Sequence, residues 1–334
     1  MEGIYELGDF ELQSGVVLPN AKISYSIHGK LNETRDNVIV YPTYSGSRHT
    51  DNEAFIEGES ALDPKKYFIV VPDMFCNGLS TSPSNCEPPY DGPRFPLVTA
   101  YDNIRAQYLL LTEHFEVTGL ELVVGFSMSG QQAYHWGALY PEYVKRICAI
   151  CGAARTSPHN RVYLTALRSI FESSAEWNEG DCREWTPAMK KAVLSTELTM
   201  AISQDWYREG LFTALDASDE LDLVNSFSNA SMNDWEPMDY YHQFDTWLNT
   251  DVSNHPRFKG DLGEALRAID VPALIMPCDR DMYFRVEDNE LEVSLMPRAE
   301  LRVIQSAWGH ICGMSMNPED DTFIHGELRR FLEN

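Results

Sequence analysis

Residues 120–136, LELVVGFSMSGQQAYHW, limit the fold of this chain more than any other stretch. Residues 122–124 are apolar or β-branched and predict the end of a buried parallel strand. Residues 125–130 (GFSMSG) predict a sharp turn, and residues 131–140 predict a helix that stops before Pro141. A buried strand, a turn of small residues and a helix in direct succession are typical of a parallel α/β sheet.

The turn contains a G-x-S-x-G-like string centred on Ser127. Such a turn lifts a serine hydroxyl off the carboxyl edge of the sheet and points the N-terminus of the following helix at it. Ser129 stands where the motif has glycine, and Gly130 follows it. The sequence therefore predicts Ser127 as a nucleophile, with a serine in an ordinary strand-to-helix turn as the alternative.

The remainder of the first half also alternates strands and helices. Residues 4–10 and 21–28 alternate polar and apolar positions, which predicts antiparallel strands at the sheet edge. Continuous apolar runs predict buried strands over 38–41, 66–71 and 144–150. Apolar residues at helical spacing predict a helix over 99–116, and residues 73–96 predict a polar loop.

The pattern changes after residue 156. Strand-like runs are lacking up to about residue 260, and the helical stretches there are 161–173, 187–205, 206–214 and 235–248. Strands return at 272–276 and 301–304, and residues 320–332 predict a closing helix. We therefore expect a core from 1–156, a helical cap from 157–260, and a second part of the core from 261–334.

The composition of the chain argues against some classes of partner. A net charge of −25 without a basic cluster argues against nucleic acid or an anionic membrane as a partner. No apolar run approaches membrane-spanning length, and no charged-then-apolar leader is present. The seven cysteines, an odd number scattered through apparent core strands, fit a reducing cytoplasm, so a cytoplasmic protein is expected. Cys148 and Cys151 are interpreted as buried thiols rather than as a redox or metal motif.

Polar residues follow the two late strands. Asp279 and Asp281 come after strand 272–276, and His310 comes after strand 301–304. With Ser127 they give the order Ser, Asp, His, in which an imidazole takes the serine proton and a carboxylate orients the imidazole. The turn at Ser127 also offers the backbone N–H of Met128, the next residue, to a tetrahedral oxyanion.

Several motifs together resemble the homoserine O-acetyltransferase family of α/β-hydrolases, particularly its esterase-like branch. Besides the turn at Ser127, the matching strings are YPTYSGSRHTDN (41–52), ALDPKKYFIVVPDMF (61–75), NGLSTSPSN (77–85), RFPLVTAYDNIRAQ (94–107), GAARTSPHN (152–160), PCDRDMYF (277–284) and SAWGHICG (306–313). The resemblance implies an α/β-hydrolase fold: a mostly parallel sheet with helices on both faces and an inserted helical cap.

The resemblance also implies site residues. The family's catalytic serine and histidine match Ser127 and His310, its acid matches Asp281 better than Asp279, and its second oxyanion donor falls on Tyr44. Neither a cofactor nor a metal is implied. The expected partner is a small acyl ester or thioester, with homodimer formation left open.

The sequence departs from the family at three points. Cys76 and Ser129 replace usual glycines, and no cap arginine clearly matches the one that binds the homoserine carboxylate; Arg168 and Arg208 are only candidates. We therefore expect a serine hydrolase that cleaves carboxylic esters or thioesters through an acyl-enzyme on Ser127. The alternatives are an O-acyltransferase that uses an acyl-CoA donor and an alcohol acceptor, and a member of the fold repurposed for non-hydrolytic chemistry.

Overall fold

A computed structural model describes residues 1–230, 232 and 234–333. In this part of the chain a single eight-stranded sheet runs in the order β1-β2-β4-β3-β5-β6-β7-β8. The pairs β1–β2 and β2–β4 are antiparallel, and every other neighbouring pair is parallel. The strands are β1 Glu2–Glu11, β2 Val17–His28, β3 Val38–Val40, β4 Phe68–Pro72, β5 Leu120–Phe126, β6 Ile147–Ile150, β7 Ala273–Met276 and β8 Ala299–Leu301.

Apart from Glu121 in β5, the central parallel strands β3 to β7 are apolar because both faces of the sheet are covered. Along β5, Leu122 and Val124 pack into one core, while Val123 packs into the core on the opposite face. The first core is shared with the cap, and the second holds the buried face of the helix that follows β5. The predicted fold class, a mostly parallel sheet with helices on both faces, is confirmed.

The helices follow the predicted order in outline. They are α1 Glu53–Ile56, α2 Ala100–Leu109, α3 Met128–Leu139, α4 Pro158–Glu172, α5 Pro187–Ala201, α6 Gln204–Arg208, α7 Glu220–Ala230, α8 Pro237–Leu248, α9 Leu262–Arg267, α10 Val286–Leu295 and α11 Pro318–Glu333. Helices α4 to α8 fall within the predicted cap interval, between β6 and β7. The boundaries at 156 and 260 stay predictions.

Some predicted elements differ in extent from those observed. The helix predicted over 187–205 ends at Ala201, because the Ser203 side chain accepts a hydrogen bond from Trp206 N–H and caps a new helix. The helix predicted over 99–116 is α2 followed by a π-helical turn, Leu110–His114. Strand β8 stops at Leu301, and Ile304 forms only an isolated bridge to Cys278.

A buried ionic pair joins the loop after β3 to the loop after β4. His49 Nδ1 lies 2.6 Å from Asp73 Oδ2, and the His49 backbone N–H donates to Asp73 Oδ1 at 2.9 Å. Asn77 Nδ2 donates to the same carboxylate at 2.7 Å. The hydrogen bond that His49 donates to the Asp73 carboxylate raises the pKa of His49. The imidazolium form of His49 is therefore favoured in the folded chain.

We expect Asp73→Asn to lower the free energy of unfolding by about 1–3 kcal/mol, because it removes a charged acceptor from buried donors. A raised folded pKa gives His49 a stabilising contribution that is present below its unfolded pKa and lost as pH rises through the folded pKa. The loss should thus be larger near pH ~6 than near pH ~9 in urea unfolding. The exposed Asp270→Asn serves as the matched control. Equal losses at both pH values would contradict the role given to His49.

Candidate active site

Ser127 occupies the junction between β5 and α3 in a backbone conformation that few side-chain-bearing residues adopt, with φ 57° and ψ −126°. The surrounding chain approaches so closely that glycine is needed. A Cβ on Gly125 would lie 2.2 Å from the Ser129 carbonyl carbon, and one on Gly152 would lie 3.0 Å from Gly130 Cα. These contacts hold the strand against the helix and fix the Ser127 hydroxyl at the carboxyl edge of the sheet.

The two departures from the family pattern are accommodated locally. Ser129 is fully buried against Gly125, and its hydroxyl has no hydrogen-bond partner among the described residues. Cys76 has φ 66°, in the left-handed region that glycine favours, which explains why glycine is usual there. Its carbonyl accepts a hydrogen bond of 2.8 Å from Gln243, so the strained residue is held by the cap.

The structure brings Ser127, His310 and Asp281 together. His310 Nε2 lies 2.9 Å from Ser127 Oγ, and His310 Nδ1 lies 2.7 Å from Asp281 Oδ2. All three residues are at most 5% exposed. Because an ionised carboxylate only accepts, Nδ1–H donates to Asp281, and Nε2 is then left to accept the Ser127 hydroxyl.

Asp281 is itself fixed by the backbone. Its Oδ1 accepts from the N–H groups of Tyr283 at 2.7 Å and Phe284 at 3.1 Å, which leaves Oδ2 directed at His310. Asp279 instead accepts from Ser306 N–H at 3.1 Å and so holds the start of the loop that carries the histidine. The geometry thus places Asp281, rather than Asp279, against His310.

The two predicted oxyanion donors differ in their availability. Met128 is the first residue of α3, so its N–H has no acceptor within the helix. The Tyr44 N–H donates to Ser47 Oγ at 2.8 Å, and that hydroxyl donates back to the Tyr44 carbonyl at 2.9 Å. A substrate oxygen would therefore compete with Ser47 for the Tyr44 donor, but not for the Met128 donor.

Aromatic rings enclose His310. The ring centroids of Phe126, Tyr283 and Phe284 lie 4.7, 4.8 and 5.6 Å from the imidazole centroid. Phe126 in turn packs edge-on against Tyr44 at 5.0 Å. These rings limit the access of water to the Ser127–His310 hydrogen bond, which strengthens electrostatic interactions there. Neither Tyr283 nor Phe284 was predicted to contact the histidine, although both lie in the PCDRDMYF string.

Both candidate cap arginines are already engaged. The Arg168 guanidinium donates to Tyr241 Oη at 2.6 Å and lies 3.2 Å from Asp245 and 3.4 Å from Glu172. Arg208 is 75% exposed and pairs with Asp205. Neither arginine is thus available as an unpaired cation for a substrate carboxylate.

The acidic residues of the cap lie mostly on its surface. Asp239 is instead buried: it is 1% exposed and accepts from Ser84 N–H at 2.9 Å and Ser84 Oγ at 2.6 Å. Burial raises the pKa of Asp239 to about 6. Asp239 therefore joins α8 to the polar loop that follows β4 and has a structural contact there.

Metal binding does not fit the donors near Ser127. Among the described residues the one group close enough to share an ion is Cys151, Asp281 and His310, whose donor atoms lie within 4.8 Å of one another. Asp281 and His310 are bonded to each other, and burial raises the pKa of the Cys151 thiol to about 12, so its thiolate is disfavoured. Cys148 and Cys151 are buried thiols, and Cys151 Sγ lies 3.6 Å from Cys312 Sγ.

The sequence of this chain is similar to those of known hydrolases and acyltransferases. Residues 37–313 match the family model described as alpha/beta hydrolase fold. The chain is 33% identical to the ethyl acetate hydrolase of Pseudomonas veronii over 92% of its own length and 88% of that protein. It is 28% identical to the homoserine O-acetyltransferase of Trichormus variabilis over 90% of its length and 86% of that protein.

A solved structure agrees with these matches. The acetyl esterase MekB superposes with a TM-score of 0.96 at 30% identity, over 100% of this chain and 97% of that one. The resemblance inferred from the sequence motifs, to homoserine O-acetyltransferases and their esterase relatives, is thereby confirmed. No helix in the described part of the chain is both long and apolar enough to cross a membrane. The chain belongs to the α/β-hydrolase fold family.

Proposed function

We propose that this protein is a serine esterase that hydrolyses short-chain carboxylic esters through an acyl-enzyme on Ser127. One observation carries the proposal: His310 bridges Ser127 Oγ at 2.9 Å and Asp281 Oδ2 at 2.7 Å. In this arrangement the serine, histidine and aspartate have the distinct roles of nucleophile, base and orienting acid. No cofactor takes part in the proposed reaction.

In the acylation step, Ser127 Oγ attacks the ester carbonyl carbon while His310 Nε2 takes the hydroxyl proton. The resulting oxyanion is stabilised by the Met128 N–H and by the Tyr44 N–H, which exchanges its Ser47 acceptor for the substrate oxygen. The ester C–O bond then breaks, and the imidazolium gives its proton to the departing alcohol. Asp281 keeps Nδ1 protonated and stabilises the imidazolium.

In the deacylation step, water attacks the acyl carbonyl while His310 takes its proton, and Ser127 leaves with that proton restored. The carboxylic acid product is released. The names of the ethyl acetate hydrolase and the acetyl esterase favour acetyl esters as substrates, and the burial of Ser127 beside the ring-enclosed His310 favours small acyl groups. All seven cysteines are unpaired, which supports our proposal of a reducing, cytoplasmic location.

The homoserine O-acetyltransferase relatives support a second candidate, transfer of the acyl group to an alcohol. Such a transferase must hold its acceptor in place of water, and an amino-acid acceptor needs a cation for its carboxylate. Arg168 and Arg208, the two cations considered for that role, are paired with acids. The pairing of these two cap arginines therefore favours hydrolysis over acyl transfer to an amino acid.

We expect the protein to release acetate from ethyl acetate and p-nitrophenyl acetate in water. With acetyl-CoA and homoserine it should form no O-acetylhomoserine, because the acceptor carboxylate lacks a partner. Free thiol and acetylated product are measured together, with homoserine omitted in the control. Rapid O-acetylhomoserine formation with negligible ester hydrolysis would make the protein a transferase instead. Failure of Ser127 to react with a fluorophosphonate probe would favour a repurposed, non-hydrolytic member.

A further inference from the structure

The cap contributes a carboxylate that the proposed reaction does not use. Glu197, on α5, accepts hydrogen bonds from Tyr240 Oη at 3.0 and 3.1 Å through its two oxygens. No lysine, arginine or histidine in the described part of the chain pairs with it. An acid without a cation partner inside a protein is costly unless it interacts with something else.

Tyr240 places this carboxylate beside the loop after β3. Its hydroxyl lies 3.2 Å from the position that a Cβ on Gly46 would occupy, and Gly46 follows the proposed oxyanion donor Tyr44 by two residues. Gly46 N–H donates to Gln243 on the same cap helix, α8, at 2.8 Å. The Glu197–Tyr240 pair is thus fixed directly against the oxyanion side of the site.

The backbone of Glu197 is tied to the histidine side. Tyr283 Oη donates to the Glu197 carbonyl at 3.0 Å, and the Tyr283 ring packs edge-on against His310 at 4.8 Å. Tyr163 Oη, from α4, lies 2.8 Å from Tyr283 Oη. Glu197 is therefore connected to the Tyr44 loop through Tyr240 and to His310 through Tyr283.

Glu197 is also placed to change its charge near neutrality. Desolvation by the surrounding protein raises its pKa to about 7, against the opposing effect of the Tyr240 hydrogen bond. The residue nevertheless retains partial exposure. Above that pKa the site carries an extra negative charge, and below it a neutral acid.

Resting on the proposed function, we propose that Glu197, oriented by Tyr240, is a specificity-determining residue that makes the esterase reject substrates bearing a carboxylate and accept neutral ones. The physical reason is the repulsion of two like charges in a poorly solvated site. The same repulsion disfavours homoserine, whose carboxylate would meet Glu197 rather than a free arginine.

The test compares two acetyl esters of nearly equal size, acetoxyacetate and acetoxyacetamide. The first carries a carboxylate where the second carries a neutral amide. Acetate release gives kcat/KM for each, and the readout is the ratio of amide to carboxylate. For the wild type we expect a ratio on the order of 100 above neutral pH, from the repulsion of like charges at short range. The ratio should fall about tenfold or more as pH drops through the pKa of Glu197, because protonation removes the repulsion.

Two variants assign the effect to this residue. Glu197→Gln should lower the ratio to within about tenfold of unity and abolish its pH step, since an amide carries no charge. Tyr240→Phe removes a hydrogen bond that lowers the pKa of Glu197, so the step should move to higher pH. The exposed Glu209→Gln, which also removes one cap carboxylate, should keep the wild-type ratio.

Among the described residues, the other ionisable groups around Glu197 and its hydrogen-bond partners have pKa values well above this range. They are tyrosines whose pKa values are raised above the ordinary value by burial: Tyr163 from α4, Tyr207 from α6, Tyr240 from α8 and Tyr283 from the loop after β7. Asp281 and His310 act on both substrates and remain in Glu197→Gln, so a step due to them would persist there. An unchanged ratio in Glu197→Gln would overturn the role given to Glu197, while the proposed esterase activity would stand. No acetate release from either ester by the wild type would overturn the proposed function as well.

Discussion

Replacing Ser127 with alanine is expected to lower kcat/KM for p-nitrophenyl acetate by about 10⁴-fold or more. The reason is that, in the part of the chain that the structure describes, Ser127 supplies the hydroxyl bonded to His310 Nε2: its Oγ is held at the tip of a strained turn, 2.9 Å from that nitrogen. The variant should keep the fold, because the backbone strain and the close glycine contacts in this turn do not involve the Ser127 hydroxyl. Steady-state kinetics and urea unfolding measure the two quantities separately.

Ser129→Ala provides a matched control in the same turn. It removes a buried hydroxyl two residues away that has no hydrogen-bond partner among the described residues. Activity should stay within about threefold of wild type, and stability should be unchanged or slightly higher, because a desolvated, unpaired polar group is removed. If Ser127→Ala kept activity within about tenfold of wild type, Ser127 would not be the nucleophile.

Asp281→Asn is expected to lower kcat by about 10³–10⁴-fold. An amide in place of Oδ2 either donates to Nδ1 or loses the contact, so His310 adopts the wrong tautomer for accepting the Ser127 proton. The Tyr283 and Phe284 N–H groups still have the remaining carbonyl oxygen as acceptor, so the loop should keep its conformation. The ratio of kcat for wild type and variant is the measurement.

Asp279→Asn is the corresponding control two residues earlier. Its carboxylate accepts a hydrogen bond from Ser306 N–H and does not contact His310. The free energy of unfolding should therefore fall by about 1 kcal/mol, while kcat should fall by less than about tenfold. The opposite ranking, with Asp279→Asn the more damaging change to kcat, would transfer the role of the acid to Asp279.

Local patterns were sufficient to predict the elements that hold the proposed reacting residues. The apolar run of β5, the small residues around Ser127 and the helix after it lie within one short stretch, so their structure depends little on distant contacts. Asp281 and His310 follow parallel strands, and the carboxyl ends of such strands meet at one sheet edge. Their order along the chain was therefore informative about their arrangement in space.

Contacts between distant segments were not accessible from the sequence. Glu197 and Tyr240 lie on separate cap helices, and their pairing depends on how those helices pack over the sheet. Helix α10 was missed because it buries polar residues: Glu292 accepts from Tyr134 Oη at 2.7 Å and from Ala154 N–H at 2.8 Å, and Asn289 donates to Glu292 at 2.8 Å. A pattern based on apolar spacing does not register such a helix.

The break between α5 and α6 had a sequence signal that was not used. Ser203 precedes a new helix by one residue and caps it through Trp206 N–H, as serine commonly does at a helix start. Continuous helical composition from 187 to 205 concealed that signal. Capping residues inside long helical patterns therefore have to be considered as well as glycine and proline.

Direct detection of the acyl-enzyme is the measurement that tests the central claim most closely. The protein is mixed with excess p-nitrophenyl acetate, quenched in acid within the first turnover and digested, and its peptides are examined by mass spectrometry. We expect an initial burst of p-nitrophenol and the added mass of one acetyl group on Ser127, with neither in Ser127→Ala. Product formation without an acetylated Ser127, or acetylation of another residue at the rate of turnover, would contradict the account.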